Sequence, residues 1–168
     1  MKPVIYGLAG HQLSADERAF FKDADPLGYI LFKRNCGSRD QMRALTDSLR
    51  DLSGRSDVPI LIDQEGGRVA RMQPPEWPGF PAPGAFDALY DVAPVSAIEA
   101  ARANAHALAL MLAEVGVTVN ALPLLDVVRP ETSDVIGDRA LGGEPMRVAA
   151  LGKAVLEGLR RGHGRACA

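Results

Sequence analysis

The sequence predicts an α/β fold built on parallel strands. Three observations carry that reading: four short apolar runs bounded by Gly, Pro or Asp, amphipathic helical patterns between them, and Ser-x-x-Glu/Gln signatures where helices begin. The resulting order is β-α-β-α-β-α-β-α, and strands separated by helices pair in parallel through right-handed crossovers. Two architectures satisfy that order, an open doubly wound sheet and a (β/α)8 barrel. A complete barrel takes about 250 residues, whereas the chain has 168. By pattern alone its four βα units favour the open sheet.

Each element has a local cause. A first strand is expected over residues 4–8, where Val, Ile and Tyr favour a pleated surface. Ser14 with Glu17, Ser38 with Gln41 and Ser96 with Glu99 are expected to open three helices as capping boxes. In such a box the serine oxygen accepts from the N–H of the third helical residue while the Glu or Gln reaches back. Strands over residues 29–32 and 58–62 follow the first two helices. Met42, Leu45, Leu49 and Leu52 mark one face of the second helix, and Ala107, Leu108, Met111 and Leu112 one face of the third. Gly116 is placed to end the third helix in a left-handed turn, ahead of a strand over residues 117–122. The last helix is expected to start at Pro145, where a missing N–H costs nothing, and to run through Val148, Leu151, Val155 and Leu159 towards Gly162.

Composition narrows the partners. With 19 basic and 21 acidic residues the formal net charge is −2, which favours neither nucleic acid nor an anionic membrane. Small molecules remain the open option. Cys36 and Cys167 lie far apart without metal-ligand spacing, so they read as reduced thiols of a cytoplasmic protein rather than as a disulfide or zinc site. The N-terminus has one Lys and a short apolar run broken by Pro3, Gly7 and Gly10, too little for a secretory leader. No apolar run approaches membrane-spanning length. His11 and His106 read as surface or packed residues.

Chemistry concentrates at two strand ends, where βα loops converge in either architecture. The stretch "PILIDQEGGRVARM" runs from a buried strand into Asp63, Glu65, Gly66, Gly67, Arg68 and Arg71. Asp63 is the first residue past the buried part, two glycines permit a close backbone turn, and the arginines can hold an anionic or hydroxyl-rich ligand. A local alternative is that Asp63 caps the turn and pairs with Arg68 or Arg71. The second end, "NALPLLDVVRPETSDVIGDRALGGEP", carries Asn120, Asp126, Arg129, Asp138, Arg139 and Glu144. Its glycines match neither G-x-G-x-x-G nor the P-loop pattern, so a phosphate loop is not supported.

"GYILFKRN", "LIDQEGGRVARM" and "NALPLLDVVRPETSDVIGDRALGGEP", in that order and at that spacing, resemble the first half of bacterial glycoside hydrolase family 3 β-N-acetylhexosaminidases of the peptidoglycan-recycling type. The resemblance extends over roughly residues 4–161. It implies a barrel of the (β/α)8 TIM type, present here as an incomplete barrel of about four βα units. It further implies a cytoplasmic enzyme that removes terminal β-linked N-acetylglucosamine from muropeptides, with no metal and no cofactor. Carried over residue by residue, Asp63 matches the aspartate that hydrogen-bonds sugar hydroxyls, and Arg71 and Arg139 match arginines of the same subsite. Glu65 matches no catalytic group.

The same resemblance marks what is missing. The family's nucleophilic aspartate, late in the barrel, and its acid/base histidine in a D-S-H motif have no counterpart in the 168 residues. No catalytic residue is therefore assigned, and the chain alone is expected to be inactive. Residues 1–161 read as the N-terminal half of the barrel. Residues 162–168, "GHGRACA", read as an out-of-place tail resembling the loop after the fifth strand, in which His163 matches a substrate-loop histidine. Unpaired edges on the first and fourth strands are expected to promote self-association. Two other readings stay open: a non-catalytic sugar-binding remnant, and an unrelated α/β binding module.

Overall fold

The structure, a computed structural model, describes residues 1–162 and 164–166. Its elements are β1 (Lys2–Gly7), α1 (Ala15–Ala24), β2 (Pro26–Leu31), α2 (Arg39–Ser53), β3 (Ile60–Ile62), β4 (Gln64–Gly66), β5 (Val69–Ala70), α3 (Gly84–Val92), α4 (Pro94–Glu114), β6 (Val119–Asn120), α5 (Pro145–Arg161) and β7 (Arg165–Ala166). Short 3-10 turns lie at Lys33–Asn35 and Gly137–Arg139.

Strand order decides between the two architectures. The main sheet runs β1-β2-β3-β6-β7 and every pairing in it is parallel. Each new strand is therefore added on the same side of its predecessor, and right-handed crossovers then place the connecting helices on one face. A doubly wound sheet instead reverses direction at a switch point and carries helices on both faces. The monotonic order is that of a barrel, here a partial one. The open sheet favoured by length is overturned, because length limits how many strands exist and says nothing about the side on which each is added.

Register explains the burial pattern. Tyr29 lies opposite Ile60 and Leu31 opposite Ile62, and all four are buried. Phe21 of α1 meets Tyr29 edge-on at 5.2 Å, so this is the helix-covered face. Ile30, Leu61 and Val119 occupy the alternate register, on the concave face. The short β6 understates its pairing: the N–H groups of Thr118 and Ala121 donate to the carbonyls of Ile60 and Ile62, both at 3.0 Å. On the far side of β6, Arg165 and Ala166 pair with Val119 and Asn120. Among the described residues the fourth main-sheet strand is thus covered, and the edges are β1 and β7.

The helices follow their local signals with two exceptions. Ser14 and Glu17 form a complete capping box on α1. Ser38 accepts from Gln41 N–H, but the Gln41 amide turns away to donate to the carbonyls of His11 and Asn35, leaving half a box. The expected box at Ser96 does not form. Helix α4 starts at Pro94, three residues earlier than a Ser96 cap would place it; the fixed φ of proline suits the first helical position, and Glu99 pairs with Arg102 instead. The buried face of α4 comprises Ala97, Ala101, Ala105, Leu108, Ala109, Met111 and Leu112, and Ala107 is exposed. Gly116 follows α4 at φ 76°, and α5 spans the expected residues. Helix α3 and the β4/β5 hairpin had no counterpart in the sequence reading, being only 9 residues long and two short antiparallel strands.

Candidate functional site

Sheet geometry brings Asp63 to the mouth. Strand β3 stops at Ile62, and Asp63 is the next residue, with its side chain 24 % exposed. The chain then folds into the β4/β5 hairpin, in which Gln64 pairs with Ala70 and Gly66 with Val69. Gly66 and Gly67 make the turn at φ 102° and 55°. A Cβ on Gly66 would overlap the Pro81 carbonyl oxygen and would lie 3.1 Å from its carbon. The paired glycines thus let the hairpin press against the backbone of residues 80–82.

Gln64 fixes the hairpin to the sheet. Its side-chain oxygen accepts from the N–H groups of Arg71 and Met72, both at 2.9 Å, and its side-chain nitrogen donates to the Met72 carbonyl at 2.9 Å. Its backbone N–H donates to Asn120 Oδ1 at 3.0 Å, while its carbonyl accepts from Asn120 Nδ2 at 2.9 Å. Both side chains are buried, so these bonds satisfy groups that would otherwise be costly to desolvate. The polar Gln64-Asn120 pairing joins the ends of two strands that carry the site.

Three of the four sequence-derived site residues converge. Asp63, Arg71 and Arg139 line one cavity of about 290 Å³ with Glu65, Ala121 and Leu124, close to the lower end of about 300 Å³ typical of small-molecule sites. Arg71 Nη2 donates to Asp63 Oδ2 at 2.6 Å. The local alternative for Asp63 is therefore realised, and it coexists with a place in the cavity. Oδ1 of Asp63 takes no protein hydrogen bond among the described residues, and Arg71 Nε is a buried donor without a partner. His163 lies outside the described residues.

Arg139 ends the 3-10 turn and meets Glu65 side-on: Nε donates to Oε2 at 2.9 Å and Nη2 to Oε1 at 2.8 Å. These hydrogen bonds, opposed by burial and reinforced by the charges of Glu65, Asp126 and Asp63, raise the Arg139 pKa above its ordinary value. Glu65 is 3 % exposed. Arg68, on the outside of the hairpin, donates from Nε to Asp138 at 3.0 Å and from Nη2 to the Val135 carbonyl at 2.6 Å. Sequence reasoning left Glu65 and Gln64 without roles. A Gln-Glu pair next to two glycines is the signal that could have pointed to a buried polar hairpin.

Other flagged residues stand apart. Asp126 and Arg129 are exposed, and Glu144 precedes α5 without capping it through its side chain. His11 lines a separate groove with Arg18, Gln41 and Ser48, and His106 is half-buried within α4. Burial pushes the Cys36 thiol up to about 11, partly offset by the Arg71 charge. No helix among the described residues is long and apolar enough to cross a membrane.

A singly wound parallel sheet with carboxylates and guanidinium groups gathered at the carboxyl ends of its strands defines a barrel-type α/β protein with a polar cavity at its mouth. Residues 5–166 match the glycosyl hydrolase family 3 N-terminal domain, and the chain belongs to that family. A beta-hexosaminidase of Xanthomonas oryzae pv. oryzae is 38% identical over 159 residues, covering 93% of this chain and 46% of the relative. A beta-hexosaminidase of Methylococcus capsulatus is 40% identical over 157 residues, covering 94% and 45%. The chain thus spans less than half the length of these relatives. NagZ from Neisseria gonorrhoeae, solved in complex with N-trifluoroacetyl-D-glucosamine, superposes with a TM-score of 0.91 at 30% identity, covering 98% of this chain and 49% of that one. A family 3 beta-N-acetylglucosaminidase from Paenibacillus sp. gives a TM-score of 0.84 at 30% identity, over 96% and 30%.

Proposed function

We propose that the cavity binds a terminal β-linked N-acetylglucosamine unit of a muropeptide, as the sugar-reading part of a cytoplasmic glycosidase of peptidoglycan recycling. The observation that carries this reading is the convergence of Asp63, Arg71 and Arg139 on one cavity at the strand ends. Free carboxylate lone pairs on Asp63 accept from sugar hydroxyls, and guanidinium N–H groups donate to sugar oxygens. The names of the relatives and the glucosamine derivative bound to the gonococcal neighbour support the same substrate class.

For the whole enzyme the reading implies a retaining mechanism, in which a carboxylate forms and then releases a glycosyl intermediate. The 168 residues contain no D-S-H motif, so by themselves they bind without turnover. His163 is proposed as a further sugar contact. Exposed Ile5 on β1, 39 % accessible, together with that strand's free edge, favours self-association of the isolated chain. Titration calorimetry with N-acetylglucosamine tests the reading. We expect measurable binding that falls at least tenfold in Asp63→Ala, with no hydrolysis of a chromogenic N-acetylglucosaminide. Absence of binding, or unchanged binding in the variant, would overturn it.

A further inference from the structure

We propose that Glu65 is a positioning residue: its buried carboxylate sets the orientation in which Arg139 meets the sugar. The inference rests on the sugar-binding reading above and assigns a role to a residue that this reading leaves idle.

Arg139 projects from a three-residue 3-10 turn, inside a stretch between β6 and α5 that holds no other helix or strand. A long side chain on such a turn has many rotamers, and its backbone fixes few of them. Glu65 supplies the missing constraint. Both of its oxygens bond Arg139, at 2.8 and 2.9 Å, and among the described residues no other side chain hydrogen-bonds them. A carboxylate that is 3 % exposed is strongly unfavourable without such a partner. The arginine is therefore drawn to one place. Glu65 itself is held by its neighbours, between the Gln64 anchor on Asn120 and the Gly66 turn against Pro81.

The donor inventory shows what this orientation leaves for a ligand. The side-on edge of the guanidinium, Nε–H and one Nη2–H, is spent on Glu65. Nη1 makes only a 3.4 Å contact to the Val135 carbonyl. The end-on edge formed by Nη1 and Nη2 keeps free N–H groups on the guanidinium that lines the cavity with Asp63. Rotating the guanidinium away from Glu65 would replace this edge with another. Glu65, with both oxygens committed to Arg139, thus selects which of its donors face the sugar.

Nitrogen-15 NMR of the full 168-residue chain tests the proposal. The Arg139 Nε–H cross-peak, assigned by its loss in Arg139→Lys, should be shifted from the free-arginine position and slow to exchange with water. In Glu65→Gln, which keeps the shape but not the charge, we expect the peak to return to the free position, its exchange to quicken at least tenfold, and N-acetylglucosamine affinity to fall at least tenfold. Glu65→Asp, which keeps the charge but withdraws it by one methylene, should give intermediate values and serves if the Gln variant does not fold. Asp138→Asn breaks the neighbouring exposed pair with Arg68 and should leave exchange and affinity within twofold. An unchanged Arg139 signal in both Glu65 variants would overturn the proposal, as would retained affinity once that signal has collapsed, or an equal loss in Asp138→Asn. If the unaltered chain binds no N-acetylglucosamine, the sugar-binding reading fails, whereas the ligand-free Arg139 signal still decides whether Glu65 positions it.

Discussion

Gly66→Ala should destabilise the protein by about 3 kcal/mol, and the structure supplies the components. The residue sits at φ 102°, a conformation that costs an L-residue roughly 1–3 kcal/mol. Its new methyl would overlap the Pro81 carbonyl oxygen and press on the Phe80 oxygen at 3.3 Å. Because both neighbours are backbone, no side-chain rotation relieves the overlap. The hairpin and residues 80–82 must separate, which breaks the Gly67 N–H to Phe80 carbonyl bond of 2.9 Å, worth about 1 kcal/mol. At about 2–4 °C per kcal/mol for a chain of this size, the melting midpoint should fall by roughly 6–12 °C in circular dichroism or calorimetry. Gly54→Ala is the matched control. That residue is also left-handed, at φ 66°, but nothing lies within 4 Å of its added methyl, so only the conformational cost of about 1 kcal/mol applies. Equal losses in the two variants would refute the argument from the Pro81 contact.

Three further outcomes follow from the cap of α1 and the half-buried Cys36 thiol. Ser14→Ala removes the acceptor for Glu17 N–H and should cost about 1 kcal/mol, read as a shift in urea midpoint at unchanged slope. Burial tends to raise the Glu17 pKa, but the hydrogen bonds from the backbone N–H groups of Ser14 and Ala9 and from the Ser14 hydroxyl outweigh it, and the value is lowered. Its contribution to stability is therefore present above the ordinary glutamate value of about 4.3 and is lost as pH falls through the lower folded value. Glu17→Gln should flatten stability against pH in that window, and an unchanged acid limb would contradict the assignment. For the thiol, a Cys167→Ser variant leaves Cys36 as the sole cysteine. With its pKa pushed up to about 11, Cys36 should react with a disulfide reagent at pH 8 on the order of a hundredfold more slowly than a free thiol of pKa about 8.5.

The sequence by itself determined the features whose causes lie within a few residues. Ser14 and Glu17 cap α1 because both partners are three residues apart, and α5 begins at Pro145 because the ring suits the first helical position. The run Ile60–Ile62 followed by Asp63 already marked where a buried strand meets a mouth. Local signals failed where two of them competed, as at Pro94 against Ser96, or where the element was very short, as in the β4/β5 hairpin. The tertiary structure alone decided on which side each strand was added, and hence that the sheet is singly wound. It also decided what Glu65 is for. Its partner Arg139 lies 74 residues away, and nothing in the intervening chain signals the pair, because a contact at that distance exists only after the crossover through α3 and α4 has set β3 beside β6.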